Sequence, residues 1–109
     1  MLPQHLRLRK SAEFVAVLRR GQRVVRPTLV LYALQSSRRR FGVVVGKRVG
    51  GSVERNLVKR RLRHGARELL DDGPAMDVVV RALPGAAAVG AGLVADLGSA
   101  WSEAGRVRR

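Results

Sequence analysis

The chain has 109 residues, of which 22 are Lys or Arg and 8 are Asp or Glu, for a formal net charge of +14. That length supports one core and not two. No apolar run is long enough to span a membrane, and Met1 to Arg7 lacks the apolar segment of a secretory signal. With no cysteine there is neither a disulfide framework nor a thiolate metal site, so the expectation is a single cytoplasmic domain, 1–109, with loose basic tails at about 1–7 and 106–109.

A first helix is predicted from Ser11 to Arg20, where Ser11 can cap, Glu13 lies in the positive first turn and Gly21 can end it. Phe14, Val17 and Leu18 stand at i, i+3 and i+4 and define its apolar face. Thr28 to Leu34 reads as a strand, with Pro27 placing its start at an edge or entry position. Gln35 to Arg40 is a polar connection, and Phe41 to Val45 is a second strand. The glycine turn Gly46 to Gly51 leads into a basic helix from about Ser52 to Leu70, which Asp71-Asp72-Gly73-Pro74 ends. Asp77 to Leu83 is a third strand, broken by Pro84-Gly85. Val89, Leu93, Val94, Leu97 and Trp101 mark a last amphipathic helix, weakened by Gly90, Gly92 and Gly98. The expected class is therefore α+β, a small α-β-β-α-β-α sandwich with helices packed on one sheet.

Charge is unevenly spread over these elements. Through Arg67 there are 18 basic and 2 acidic residues, a balance of +16; from Glu68 onward there are 4 basic and 6 acidic, a balance of −2. An anionic partner is expected to meet the first two thirds, and a charge of this size points to nucleic acid. On the basic helix Arg55, Lys59, Arg63 and Arg67 succeed one another at i+4, with Asn56 and Arg60 beside them, so six polar groups are expected on one broad face. Val58, Leu62, Ala66 and Leu69 form the adjoining core face. Four like charges at i+4 destabilise an isolated helix, and a phosphate backbone reverses the sign of that cost. Gly50 and Gly51, just before the helix, are candidates for letting backbone N–H groups approach phosphate. Arg38, Arg39 and Arg40 are a second candidate phosphate contact.

From Phe41 through Gly46-Lys47-Arg48-Val49-Gly50-Gly51 to Arg55-Asn56-Leu57-Val58-Lys59-Arg60-Arg61-Leu62-Arg63, the chain resembles the bacterial ribonuclease P protein subunit family. Leu8-Arg9-Lys10 before Phe14, Gly21, Val30-Leu31-Tyr32 and Asp77-Val78-Val79-Val80 before Pro84 agree in order, so the likeness covers most of Leu8 to Pro84. Leu57 departs from it, standing where the family's central motif has arginine. Arg61, one turn on and on the same side as Leu57, is the candidate to restore that charge.

The resemblance implies a ribosomal-protein-like α+β fold with a left-handed crossover between the second and third strands, although parallel crossovers are otherwise about 98% right-handed. It implies a protein partner, expected at 1:1, of a catalytic RNA that removes the 5′ leader from precursor tRNA. RNA contacts are implied at Lys47, Arg48, Arg55, Asn56, Lys59, Arg60, Arg61, Arg63 and Arg67. A leader cleft formed by the first helix, the sheet and the basic helix is implied at Phe14, Leu18, Tyr32, Lys59 and Arg63, with Leu18 where the family often has an aromatic. Phe14 is equally readable as core. Mg²⁺ is expected to be bound chiefly by the RNA, with no organic cofactor.

The residues themselves agree that the chain is not catalytic, since two-metal hydrolysis needs convergent carboxylates and the eight acids are scattered. His5 and His64 have no credible partner for acid or base work. Two rival classes are a non-enzymatic RNA-binding module, such as a ribosomal protein or RNA chaperone, and a DNA-binding architectural protein. The second needs a groove-reading helix or wedge that the sequence does not offer.

Overall fold

The computed structural model describes residues 2–71, 75–86 and 91–107. A 3-10 turn, Gln4–Leu6, precedes α1 (Ser11–Arg20), β1 (Gln22–Val25), β2 (Leu29–Gln35) and β3 (Arg40–Val44). A second 3-10 turn, Lys47–Val49, leads to α2 (Ser52–Leu70), β4 (Met76–Ala82) and α3 (Ala91–Val107). The strands form one sheet in the order β1-β2-β4-β3. β2 is antiparallel to both β1 and β4, while β3 runs parallel to β4. Parallel neighbours cannot be joined by a tight turn, and α2 is the crossover between them.

The expected α+β sandwich is present with one strand more than the sequence suggested. β1 was not foreseen, because of its four residues only Val24 is buried, leaving no apolar alternation to read. Its hairpin to β2 closes through the Arg26 N–H donating to the Leu29 carbonyl at 2.9 Å. Pro27 lies in that turn and so takes no ladder position. Val89 and Gly90 of the predicted last helix lie outside the described residues.

Strand alternation divides the interior into two layers. Leu29, Leu31 and Ala33 of β2, Phe41 of β3, and Met76, Val78, Val80 and Ala82 of β4 face α2 and α3. There they meet Val58, Leu62, Ala66 and Leu70 on α2 and Leu93, Leu97, Ala100, Trp101 and Ala104 on α3. Phe41 and Trp101 stack with centroids 5.8 Å apart and planes inclined by 29°, a geometry that adds to their burial. Leu70, four residues after Ala66, completes the α2 stripe, while Leu69, the expected member, is only partly buried. On the other face Val79 and Leu8 pack with Val17 and Phe14 of α1, flanked by Tyr32, Leu34 and Val44. Val78, Val79 and Val80 are all fully buried, as a central strand covered on both faces requires.

The start of the chain, expected as a loose tail, is docked instead. Leu2 and Leu8 are buried, Arg7 forms a parallel bridge with Phe41, and the Leu8 N–H donates to the Phe41 carbonyl at 3.0 Å. These residues cover the outer edge of β3, which would otherwise present unpaired backbone groups. At the other end, Arg106 and Val107 continue α3, and 108–109 lie outside the described residues.

Two polar constructions orient the helices. Glu13 rather than Ser11 caps α1: its Oε1 accepts the backbone N–H groups of Lys10 and Arg9 at 3.0 and 3.1 Å. Its Oε2 accepts Nη1 of Arg40. Arg40 in turn grips Asp77 with Nε and Nη2, at 3.0 and 2.8 Å, a bidentate charge-assisted pair. One guanidinium thus fastens α1 to β3 and β4. At the far end of the sheet, Arg26 binds Glu103 at 2.7 Å and Ser99 at 3.0 Å. Asp96 accepts both the N–H and the hydroxyl of Thr28, so α3 is fixed to the β1–β2 turn.

The N–H groups of Lys10 and Arg9, followed by Arg40, hold the Glu13 carboxyl at about 2, below its ordinary 4.5. A depressed carboxylate stabilises the fold fully above its unfolded pKa, and that contribution fades as pH falls through the folded value. Denaturant midpoints are therefore expected to drop between about pH 4.5 and pH 2, and Glu13→Gln is expected to flatten that part of the profile.

Gly42 supplies a second expectation. A Cβ there would lie 2.5 Å from two ring atoms of Phe14 and 3.3 Å from Cβ of Leu8, so the absent side chain is what lets the ring lie against β3. Gly42→Ala is expected to cost about 1–3 kcal/mol by overcrowding. Combining it with Phe14→Ala should cost less than the sum of the two, a coupling that a double-mutant cycle in denaturant would read.

Candidate nucleic-acid interface

α2 begins from a constrained turn. Gly50 has φ +154°, a conformation closed to other residues, and a Cβ there would meet Cβ of Glu54 at 2.8 Å. The Gly51 N–H donates to Oε1 of Glu54 at 2.8 Å and the Gly50 N–H to the Lys47 carbonyl at 3.2 Å. Both glycine N–H groups, considered as phosphate donors from the sequence, are thus engaged within the turn. Its cations are free to reach outward, with Lys47 and Arg48 exposed on the 3-10 turn.

The basic face of α2 is graded. At about 100° per residue, Arg55 points along the same direction as the buried stripe, with Lys59 and Arg63 on its flank; all three are half-buried. The Nε of Arg55 is fully buried and has no hydrogen-bond partner. Asn56, Arg60 and Arg67 turn further out and are exposed. The six groups expected on one face therefore form a slope from core to solvent. Asn56, Lys59, Arg60, Arg63 and His64 line a cleft of about 420 Å³. Half-buried Arg61 sits about 160° around the helix from Lys59 and Arg63, beside Leu57 and away from this cleft.

Among the described residues the ion pairs are Arg26–Glu103, Arg40–Glu13 and Arg40–Asp77, and none reaches α2. Burial, and then the charge of Arg7, lower the pKa of Arg63, although a guanidinium remains protonated at neutral pH. Arg7 comes from the docked N-terminal segment and points its Nε to the Leu2 carbonyl at 2.9 Å. Sequence reading missed it by treating that segment as a tail; Leu2 and Leu8, spaced to bury, were the available signal. Beyond Arg7, a second cleft of about 520 Å³ is lined by Arg9, Lys10 and Arg38 together with His5, Gln4 and the Glu13–Arg40 pair. Arg40 is thus a structural residue and not the phosphate contact considered from sequence.

The predicted leader residues divide between two layers. Phe14 and Tyr32 belong to the cluster under α1, both half-buried, and Leu18, one turn beyond Phe14, is 38% exposed. Lys59 and Arg63 stand on α2, which packs on the opposite face of the sheet. The five do not converge on one slot. What connects the layers is the turn after β3, where Arg48, Val44 and Gly46 meet Arg81, Leu83 and Pro84 around a cleft of about 310 Å³.

Five of the acids have structural duties. Glu13 and Asp77 hold Arg40, Asp96 holds Thr28, Glu103 holds Arg26 and Glu54 caps α2. No three His, Cys, Asp or Glu side chains gather to hold a metal ion among the described residues. His5 and His64 are exposed. No helix among the described residues is long and apolar enough to cross a membrane.

A family model for Ribonuclease P matches residues 2–105. The chain is 50% identical over 93 residues to the ribonuclease P protein component of Acidothermus cellulolyticus, covering 81% of this chain and 78% of that one. It is 47% identical over 90 residues to that of Mycolicibacterium gilvum, covering 77% and 73%. Among solved structures, a Staphylococcus aureus RNase P protein mutant with defective mRNA degradation activity superposes with TM-score 0.84 at 25% identity, over 91% of this chain and 87% of that one. The RNase P protein of Thermotoga maritima, in complex with 1-(4-fluorophenyl)-2-thiourea, shares the fold at TM-score 0.64 and 21% identity, over 93% and 92%. With the family matched along nearly its whole length, the graded basic helix and its constrained glycine turn belong to a member of the ribonuclease P protein component family.

Proposed function

We propose that this chain serves as the protein subunit of ribonuclease P, binding a catalytic RNA 1:1 through α2 and the turn before it, and receiving the 5′ leader of precursor tRNA on the α1 face. The observation that carries this reading is the α2 slope, where cations without acidic partners among the described residues border a cleft, in a chain of the ribonuclease P protein family. Phosphates there would relieve the repulsion among Arg55, Lys59, Arg60 and Arg63 and the neighbouring Arg7. Half-buried Arg63 and Arg55 offer directed donors, since burial of their stems restricts where the guanidinium can point. Exposed Arg60 and Arg67 offer mobile ones.

Across the sheet, Phe14 and Tyr32 present partly open aromatic faces to unpaired bases, a mode of contact that tolerates many sequences. Hydrolysis is assigned to the RNA with its Mg²⁺. The residues of this chain do not suit that ion, because Glu13, Glu54, Asp77, Asp96 and Glu103 are engaged within the fold and no three candidate ligands gather among the described residues. The protein supplies charge neutralisation and a track for a single strand, at work in the cytoplasm.

The test is cleavage of labelled precursor tRNA by protein alone, RNA alone and both, across a Mg²⁺ series. The protein alone is expected to be inert and the pair to cut at the mature 5′ end. Raised Mg²⁺ should partly replace the protein, since added cations screen the same phosphates. Metal-dependent cutting by RNA-free protein would falsify the assignment.

Affinity for the catalytic RNA is expected to fall steeply with salt. Arg60→Ala should reduce the log–log slope by about 1 with little change in thermal stability, because its side chain is exposed. Arg55→Ala should reduce the slope similarly and lower stability as well, because its stem lies over the core. Salt titrations alongside melting curves check both; unchanged slopes would place the RNA elsewhere.

A further inference from the structure

The open half of the α1 face carries two arginines, Arg23 and Arg81, that no hydrogen bond or ion pair among the described residues explains. β1 pairs with β2 so that Arg23 lies directly opposite Tyr32. β2 pairs with β4 so that Tyr32 lies opposite Val79 and Val30 opposite Arg81. Directly paired residues project to the same face, as do residues two apart on one strand. Arg23, Tyr32 and Arg81 therefore share a face, with Arg23 directly beside the tyrosine and Arg81 diagonal to it, two residues along β4 from Val79; β1 and β4 are roughly 10 Å apart. Both arginines are exposed, and neither side chain makes a hydrogen bond or ion pair among the described residues. Val25, beside Arg23 on this face, is 53% exposed, so α1 leaves the β1 side uncovered. Arg81 also lines the cleft shared with Arg48, at the turn that leads to α2.

We propose that Arg23 and Arg81 are leader-binding residues: they hold successive phosphates of the unpaired 5′ strand on either side of the base that stacks on Tyr32, and Arg81 passes the strand toward Arg48. This rests on the leader-binding reading above and deepens it. An aromatic flanked by cations suits single-stranded RNA, because the ring takes any base and the guanidinium groups take the backbone. Charge without aromatic contact would suit a duplex equally; Tyr32 with Arg23 beside it and Arg81 on its diagonal favours a strand whose bases are exposed.

The experiment uses holoenzyme reconstituted with the catalytic RNA. Binding of precursor tRNA bearing a leader of several nucleotides is compared with binding of the same tRNA without it, over a salt series. The variants are Arg23→Ala, Arg81→Ala, the double substitution, the two lysine replacements, and Tyr32→Ala as a gauge of the leader reading itself. Arg23→Ala and Arg81→Ala are each expected to weaken only the leader-bearing RNA and to lower its salt slope by about 0.7, the value for one single-strand phosphate, and the double substitution to lower it by about 1.4, with lysine keeping the slope. If Tyr32→Ala loses leader discrimination while both arginine variants keep wild-type affinity and slope, the proposal is overturned and the leader reading stands. Equal losses on both RNAs would also overturn it, by showing a general electrostatic effect. Should the wild-type holoenzyme bind both RNAs equally, the leader reading falls, and this assignment with it.

Discussion

Arg40 stands where three elements meet, and the placement of the α1 face depends on it. Its guanidinium joins Glu13 at the start of α1 to Asp77 on β4, while its own strand borders β4 on the other side. Lysine could not do this, since one ammonium cannot present paired donors to one carboxylate and another to a second. With α1 fixed at its first turn, Phe14 one residue later is set over Gly42, and Val17 a turn further on reaches Val79. The partial cover this leaves, ring and helix over β3 and β4 with β1 open, is what makes the surface around Tyr32 available.

A chain with so large an excess of positive charge has to cohere without neutralising itself. It does so by segregation. The layer between the sheet, α2 and α3 is almost wholly apolar, with the Phe41–Trp101 stack at its centre, and the three ion pairs among the described residues serve the joints of the fold. The cations of α2 are left with long stems along the apolar stripe and charged heads at its margin. Helix position therefore sets how freely each cation moves. The gradient from Arg55 to Arg60 makes part of the charged surface rigid and part adaptable, which suits a partner recognised by shape as well as by charge.

Much of this was legible beforehand. α1 and α2 have the bounds that sequence reading gave them, with Gly21 after α1, Gly51 before α2, Asp71 at the end of α2 and an acid in each first turn. The strands β2, β3 and β4 are apolar runs long enough to read. β1 was not, since four residues with one buried side chain carry no period. The docking of Leu2 to Leu8 was hidden by its surrounding charge, and Arg40 could be assigned only once the register brought Asp77 beside it. For the candidate site, the identity of the α2 cations was plain from spacing, but their division into half-buried and exposed groups depended on where the core stripe fell. The cleft expected to unite α1 and α2 separated into two layers for the same reason: strand alternation decides which face a residue serves, and only pairing fixes that.

The strand order has a consequence for how the molecule comes into being. β4 lies between β2 and β3, yet it is the last strand to be synthesised. While the ribosome is still making α2, the β1–β2 hairpin can close, but β3 has no neighbour within the sheet beyond the short bridge from Arg7. Two strand edges then await a segment that has not emerged, and the cations of α1, β1 and α2 are brought together only when it arrives. Vectorial synthesis thus leaves the nascent chain open at its centre, and sheet closure is a late, long-range event of the kind that slows folding. The charge that opposes collapse of the unfinished chain also keeps its exposed edges from joining those of other copies.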